Sequence, residues 1–548
     1  MQHIQKKILN FRQPPIKMEA LMLRFPHLPE QIFQKLGNKS ILKCRVVSKS
    51  WKNIIDGKNY PWLRIVNIPT ILKKRNTYLH LAARTGQIEA FKVALNEEEG
   101  ENIKIGSFHL ACKNGQSEIV NFLLKNIDLA YLNVKTKKGN TALHWTCIKG
   151  HSDIIKLFIE SAAALSIDFN DNNDEGYTAF HLACERGHSD VIKIFMQNAA
   201  DLNIDLNMVD NDGYTALHWA CQRGHSDVVK IFMENAAALN IDLNKIDNNG
   251  LTAFSWACIR DHSEIINILI ENAAVLSIDI NAKNHSGKPA LHYACQRGHS
   301  NVVKIFLENA ALLSIDVNKI DNDGLTAVDW TCIQDHSEII KILIENAAIL
   351  GIDINAKNNF GKPALHLACQ RGHSNVVKIF MENAAALSID LNKIDNDGLT
   401  AFHVACINGS LDVVKIFIEN ASALGIDLNI KDNDGYTAFH WVCIKGHLDL
   451  VQFFMENAAA LRIDLNAKEN DGSTGFHQAC YHGRTDLIKI FMKNAATLRI
   501  DLAAKDNDGL TGFHNACKTG LTYFVKKLMK KAATFGLNLD TKKLIAIF

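Results

Sequence analysis

The sequence predicts an all-α solenoid built from turn–helix–helix units. Three observations carry this. Glycine recurs at Gly139, Gly176, Gly213, Gly250, Gly287, Gly324, Gly361, Gly398, Gly435, Gly472 and Gly509, every step being 37 residues. A fixed period of this size marks stacked supersecondary units rather than one closed globule. Within one period, turn and cap residues fall where two short helices need them. The apolar residues between them keep helical spacing, and one such pair cannot bury its apolar faces alone.

The unit at 210–244, DNDGYTALHWACQRGHSDVVKIFMENAAALNIDLN, justifies each element in turn. Asp212-Gly213 is a tight-turn signal, because glycine accepts positive φ without a Cβ clash. Thr215 is the expected N-cap of a first helix, on which Leu217, Ala220 and Cys221 share one face. Gly224 suits a left-handed C-cap. Ser226 is the expected cap of a second helix carrying Val228, Val229, Ile231, Phe232, Ala236 and Leu239. Asp242-Leu243-Asn244 leads to the next turn.

The run Gly-x-Thr-Ala-Leu-His-x-Ala-Cys-x-x-Gly-His resembles the ankyrin repeat, whose core motif is Thr-Pro-Leu-His-x-Ala. Two units, with Lys288-Pro289-Ala290-Leu291-His292 and Lys362-Pro363-Ala364-Leu365-His366, carry their proline one place early. The resemblance implies a usual period about four residues shorter, roughly one helical turn. The additional residues lie between Met233 and Asn244, so a lengthened second helix is expected. The likeness spans 76–537 and about thirteen repeats, the first two irregularly spaced as at a capping end. The last helix, with Lys526, Lys527, Lys530 and Lys531, reads as a solvated closing face, followed by a tail at 538–548.

Composition narrows the function. Sixty Lys and Arg against 58 Asp and Glu leave a formal charge of +2, which argues against nucleic acid as the main partner. No apolar run approaches the ~20 residues of a membrane span, and MQHIQKKILNFRQPP lacks the apolar core of a signal peptide. The expected compartment is the cytoplasm, with the nucleus left open. Twelve of the 13 cysteines, from Cys112, Cys147 and Cys184 to Cys517, occupy one repeat position. Stacked helices set them about 10 Å apart, too far for a disulfide. They read as small buried apolar residues.

The N-terminal part differs. Residues 1–20 read as a disordered lead in which Met18 is a second candidate start, and 66–75 as a linker. Between them, 21–65 hold Leu28-Pro29, an apolar helix and Val47-Ser48-Lys49-Ser50-Trp51. This resembles the F-box, which binds the adaptor of Skp–cullin–F-box ubiquitin ligases. The resemblance puts Leu28, Pro29, Ile32, Leu36, Leu42 and Val47 at or near the adaptor-contacting face, with Trp51 and Trp62 packing the unit. The distance from Leu28-Pro29 to Val47-Ser48 is about four residues short of the usual F-box, and Phe25-Pro26 is the other candidate for the Leu-Pro role. The alternative is a helical cap on the solenoid.

The pair of units at 250–323 closely matches the pair at 324–397, a 74-residue duplication. In the first unit of each pair the motif histidine is replaced by Ser255 or Asp329, and the reversal glycine by Asp261 or Asp335. Drift and a specialised binding surface both account for this.

Sites of chemistry are weak. His218-x-x-Cys221-x-x-x-His225 has zinc-ligand types, but the spacing recurs in many units and lacks a fourth ligand. The Asp-Asn-Asp-Gly turns lack the spaced ligands and terminal Glu of a calcium loop. No nucleophile–base constellation or phosphate-binding loop stands apart from the repeat, so neither cofactor nor metal is expected, nor enzyme activity. Trp145, Trp219, Trp256, Trp330 and Trp441, beside the motif histidine position, read mainly as core packing. Asn244 and its equivalents read as closing the hairpin; they also resemble sites of the asparagine hydroxylase that modifies ankyrin repeats.

The better binding candidates vary between units at positions that the ankyrin resemblance places on a concave face: Tyr177, Tyr214 and Tyr436 after the turn glycine, and Arg186, Gln222, Arg223, Arg297 and Arg371 after the cysteine. Tyr and Arg suit recognition of a protein surface. The expected function is a ubiquitin-ligase substrate receptor, monomeric outside its complex. Its F-box would bind a Skp-type adaptor and its concave face an unknown target protein. A scaffold unconnected to ubiquitin is the alternative.

Overall fold

The structure, a computed structural model, describes residues 78–97, 101–126 and 133–529. The expected lead, F-box, linker and C-terminal tail lie outside them, as do all six adaptor-face residues from Leu28 to Val47.

The described residues form thirteen consecutive helix pairs, from Tyr78–Thr85 with Ile88–Glu97 to Gly512–Lys518 with Thr522–Met529. They hold no extended strand, only isolated bridges such as Ile246 with Thr252 at the base of a turn. First helices pack on first helices and second on second, in two layers. The first layer is the closer packed, because its contact faces are Ala and Cys with little bulk: Ala220, Cys221, Ala257 and Cys258 are wholly buried. Closer spacing on one side curves the stack with the first helices inside.

The turn follows from one side chain. Asp210 Oδ1 accepts the N–H groups of Asp212 and Tyr214, each at 2.9 Å, while Gly213 stands at φ 81°. A Cβ on Gly213 would lie 2.8 Å from the amide nitrogen of Asn248 in the next unit, so glycine is required for close approach as well as for φ. That amide donates to the Asp212 carbonyl at 3.1 Å, linking successive turns. Thr215 caps the first helix as expected, and Gly224 ends it left-handed at φ 82°.

The second helix departs from expectation at both ends. His225, not Ser226, is the N-cap; its side chain gives no cap bond and instead donates from Nε2 to the Glu185 carbonyl of the preceding unit at 2.9 Å. The expected additional turn is regular helix in units such as Ser152–Leu165 and Ser263–Leu276. In four units, Ser189–Gln197, Ser226–Asn235, Ser300–Glu308 and Ser374–Asn383, it is a run of tight turns. Both groups contain Glu-Asn-Ala-Ala, but only the four with tight turns have Cys-(Glu or Gln)-Arg-Gly-His-Ser leading into the second helix.

Every such segment then enters the left-handed region at one 37-residue register, through Ser166, Asn203, Asn240, Ser277, Ser314, Gly351, Ser388, Gly425, Arg462 and Arg499. Only two are glycine. Nine of the ten, all but Ser166, are held by the asparagine of the preceding unit: Asn244 Nδ2 donates to the Ser277 carbonyl at 2.8 Å, and Asn244 Oδ1 accepts the Asp279 N–H at 2.8 Å. This inter-unit clamp offsets a left-handed cost of about 1–2 kcal/mol per non-glycine residue.

Phenylalanines thread the core across unit boundaries. Phe180 meets Phe195 of its own unit at 5.7 Å and Phe232 of the next at 5.9 Å; Phe439 likewise meets Phe454 at 5.7 Å and Phe491 at 5.9 Å. Each buried ring contributes about 1.5–3 kcal/mol. The cysteines are free, and eleven of the twelve described are buried. Burial raises their thiol pKa, to about 12 for Cys295, so they pack as neutral apolar groups.

Candidate functional site

The motif histidines are structural joints. Thr215 N–H donates to His218 Nδ1 at 3.1 Å, so the proton resides on Nε2, which donates to the Leu251 carbonyl of the next unit at 3.0 Å. His144, His181, His366, His403, His440 and His477 make the same 33-residue link. Burial holds His181, His292, His366 and His440 down to about 4, so they are neutral near pH 7. The His218–Cys221–His225 spacing is thus explained by two joints and a packed thiol. Among the described residues no group of three or more potential ligands converges on a metal position.

Ser255 and Asp329 break this pattern. Ser255 Oγ reaches only Thr252 Oγ1, at 3.1 Å. Asp329 Oδ2 accepts from the Thr326 N–H and hydroxyl at 2.8 and 3.0 Å, while its buried Oδ1 has no partner. Burial raises this carboxyl to about 7. At the same two junctions the left-handed Asp261 and Asp335, at φ 62° and 61°, stand 3.8 Å from Nδ1 of His299 and His373 in the following units.

The first helices expose their C-terminal ends and one side. The tryptophans lie on that side and are only partly core: Trp219 is 8% exposed, while Trp145, Trp256, Trp330 and Trp441 are half-buried. What fixes all but Trp145 is the turn nine residues earlier. Nε1 of Trp219, Trp256, Trp330 and Trp441 donates to Oδ2 of Asp210, Asp247, Asp321 and Asp432, at 2.8–3.0 Å. Where the tryptophan is Leu182, Tyr293 or Leu367, the turn residue is Asn173, Asn284 or Asn358. Thr136 opposite Trp145, Asp395 opposite Val404, Glu469 opposite Gln478 and Asp506 opposite Asn515 depart from this pairing, and the buried Oδ2 of Asp395 lacks a partner.

Rings from successive units join. Tyr177 meets Trp219 at 5.5 Å, Trp219 meets Tyr214 at 5.1 Å, and Tyr214 meets Trp256 at 5.6 Å. Arg223 and Arg260 lie over Trp219 and Trp256 at 5.4 and 5.6 Å, and Lys288 over Trp330 at 3.5 Å.

The sequence-derived target residues fall as follows. Tyr177 and Tyr436 are half-buried and Tyr214 is buried; burial raises the phenols of Tyr177 and Tyr214 to about 12. Arg186, Arg223, Arg297 and Arg371 are exposed, and Gln222 is half-buried. Arg223 pairs with Glu185 at 2.8 Å and Arg186 with the same carboxylate at 3.5 Å. The stack joins Tyr177, Tyr214, Gln222 and Arg223 into one patch; Arg371 and Tyr436 lie several units away. Sequence reasoning missed Lys149, Arg260 and Lys445, which occupy the Arg186 position in other units and are exposed; the 37-residue step from Arg186 was the available signal. It also missed the turn carboxylates, whose nine-residue coupling to tryptophan is visible in the sequence once its geometry is known.

Among the described residues no helix is long and apolar enough to cross a membrane.

Comparison with known proteins agrees with this geometry. The family profile "Ankyrin repeats (3 copies)" matches residues 108–205, 202–284, 273–358, 347–432 and 422–501. The F-box domain profile matches 27–63. A curated relative from Oryza sativa subsp. japonica, the BTB/POZ domain and ankyrin repeat-containing protein NPR2, is 33% identical over 94 residues. That stretch is 17% of this chain and 15% of the rice protein. Among solved structures, the ankyrin repeat domain of Bcl-3, a member of the IkappaB protein family, aligns at 22% identity and a TM-score of 0.37, covering 42% of this chain and 94% of that one.

Proposed function

This chain belongs to the ankyrin-repeat family and carries an F-box domain ahead of the repeats, and from that premise we propose that it is the substrate-receptor subunit of a Skp–cullin–F-box ubiquitin ligase. The F-box binds the Skp-type adaptor through Leu28, Pro29, Ile32, Leu36, Leu42 and Val47. The inner face of the repeats binds a target protein through the patch around Tyr177, Tyr214, Gln222 and Arg223, with Arg186, Arg297, Arg371 and Tyr436 further along the face. The observation that supports the reading most is the pairing itself: one F-box ahead of a long array whose inner helices expose aromatic and basic side chains.

On this reading the chain performs no bond chemistry. It holds a target beside a conjugating enzyme and raises the effective concentration of the target's lysines. It acts in the cytoplasm or nucleus, where such ligases work.

The test is capture of a purified Skp-type adaptor by the full chain. Wild type is expected to retain it, and the joint change Leu28→Ala, Pro29→Ala, Leu36→Ala to lose at least ~90% of it, since such anchors carry most of an interface's energy. Undiminished capture by the triple variant would remove the assigned interface, and no capture by wild type would leave an interaction scaffold.

A further inference from the structure

The residue two places after the repeat cysteine is basic in five successive units: Lys149, Arg186, Arg223, Arg260 and Arg297. All five are exposed. They stand at the C-terminal ends of the inner helices, where the helix dipole favours cations. Arg186 and Arg223 share Glu185, while Lys149, Arg260 and Arg297 form no ion pair among the described residues. Asp261, next to Arg260, lies against His299 at 3.8 Å. Between the third and fourth cations lies an open depression of about 320 Å³ lined by Gln222, Arg223, Arg260 and His262. On the inward side the row borders the Tyr177–Trp219–Tyr214–Trp256 rings. Of the exposed acids of this region, Asp174, Glu175 and Asp212 occupy the turns at the opposite, N-terminal ends of the inner helices, while Asp153, Asp190, Asp227 and Glu264 stand in the first turns of the second helices, four residues after a cation of the row.

The spacing says what fits. Stacked helices are about 10 Å apart, and a peptide in the polyproline II conformation rises about 3.1 Å per residue with three residues per turn, so one unit corresponds to three residues and every third side chain faces the same way. We propose that the row from Lys149 to Arg297 docks a target segment of about 13 residues in the polyproline II conformation that carries Asp or Glu at every third position, one carboxylate per cation, with apolar side chains between them turned toward the tyrosine–tryptophan rings. This rests on the reading that the inner face holds the target, and supplies the recognition chemistry. The row of turn acids disfavours a polyanion of high charge density, which would have to pass beside it, and favours discrete carboxylates confined to one edge.

The test uses the full-length protein and fluorescently labelled 13-residue peptides read by anisotropy. One peptide has Glu at every third position, one has the same residues with the glutamates in a block, and one has Lys in place of Glu. The spaced peptide is expected to bind at least tenfold more tightly than the block, the Lys peptide not at all, and affinity to fall with salt. Arg223→Glu with Arg260→Glu is expected to weaken the spaced peptide at least tenfold; both side chains are exposed, and far-ultraviolet circular dichroism checks the fold. Lys493→Glu, exposed on a distant second helix, should leave binding unchanged. Equal affinity for spaced and block peptides, an unaffected double variant, or a requirement for phosphoserine at the glutamate places would overturn the proposal. Competition by single-stranded nucleic acid of equal charge would overturn it too. A peptide-display selection on the same protein separates this failure from the broader one. Ligands without acids that are lost on Tyr177→Ala with Gln222→Ala would refute the acidic segment and keep the inner face as target site. Ligands indifferent to those changes and to the arginine reversals would refute both.

Discussion

The hydrogen bond between Trp219 and Asp210 offers a sharp test of how the inner face is built. Trp219→Phe keeps a ring beside Tyr214 and Arg223 but deletes the Nε1–H that reaches Asp210 Oδ2 at 2.8 Å. Asp210 is 6% exposed, so the freed oxygen has little access to water. An orphaned buried acceptor costs about 1–3 kcal/mol, with charge toward the upper end. Asp210→Asn leaves Oδ1 to accept the Asp212 and Tyr214 amides but sets an amide donor against the indole N–H, at a similar cost. The two changes together remove both the carboxylate and its donor. They reproduce the Asn–apolar pairing that the chain itself uses at Asn358 and Leu367, where Asn358 Nδ2 is buried without a partner. The double variant should therefore cost no more than the worse single one, a coupling of at least ~1 kcal/mol. Because an array need not unfold as one unit, the measurement is amide hydrogen exchange at Asp212 and Tyr214, expected to quicken about 5- to 100-fold in each single variant. Costs that add to within ~0.5 kcal/mol would show that the contact is incidental and refute the reasoning.

Two further outcomes follow from the same joints. Burial holds His181, His292, His366 and His440 at about 4 against an ordinary 6.5, so the unfolded chain binds more protons between those values. Their contribution is complete above about 6.5 and lost as pH falls toward 4, up to ~3 kcal/mol for each histidine's region. Asp329, raised to about 7 from 3.8, runs the other way: its contribution is present below 3.8 and lost as pH rises through 7. Four groups outweigh one, so thermal melts followed by circular dichroism should fall on acidification from pH 7 to pH 4. Asp329→Asn should remove only the opposing arm, and a flat profile would contradict the buried, neutral histidines. Gly213→Ala combines φ 81° with a Cβ 2.7 Å from Asn248 Oδ1 and 2.8 Å from its backbone nitrogen. It should destabilise by at least ~2 kcal/mol, seen as earlier urea unfolding, whereas Gly351→Ala, with nothing within 4 Å of its Cβ, should incur only the φ penalty.

Much of the fold was legible in the sequence because the residues that decide it act locally. The turn aspartate and glycine, the threonine cap and the left-handed Gly224 each bind or bend backbone within a few residues of themselves. Repetition at 37 residues then multiplies one local decision into an array. The cysteines could be read as buried thiols for the same reason, since equal positions in stacked units are held apart. What the sequence alone left undecided depends on partners outside the unit. Non-glycine residues such as Ser277 and Arg462 take left-handed backbone because an asparagine from the preceding unit clamps them, and no residue at those positions announces it. His225 is a joint rather than a bystander to a serine cap because its acceptor, the Glu185 carbonyl, lies 40 residues earlier. The role of Trp219 likewise waited on geometry: nine residues along the chain become one hydrogen bond only when the turn folds back over the helix. Sequence determined the unit and its repetition; tertiary stacking decided which carbonyls, carboxylates and cations face each other and which remain free, because each of those contacts is completed by a neighbour.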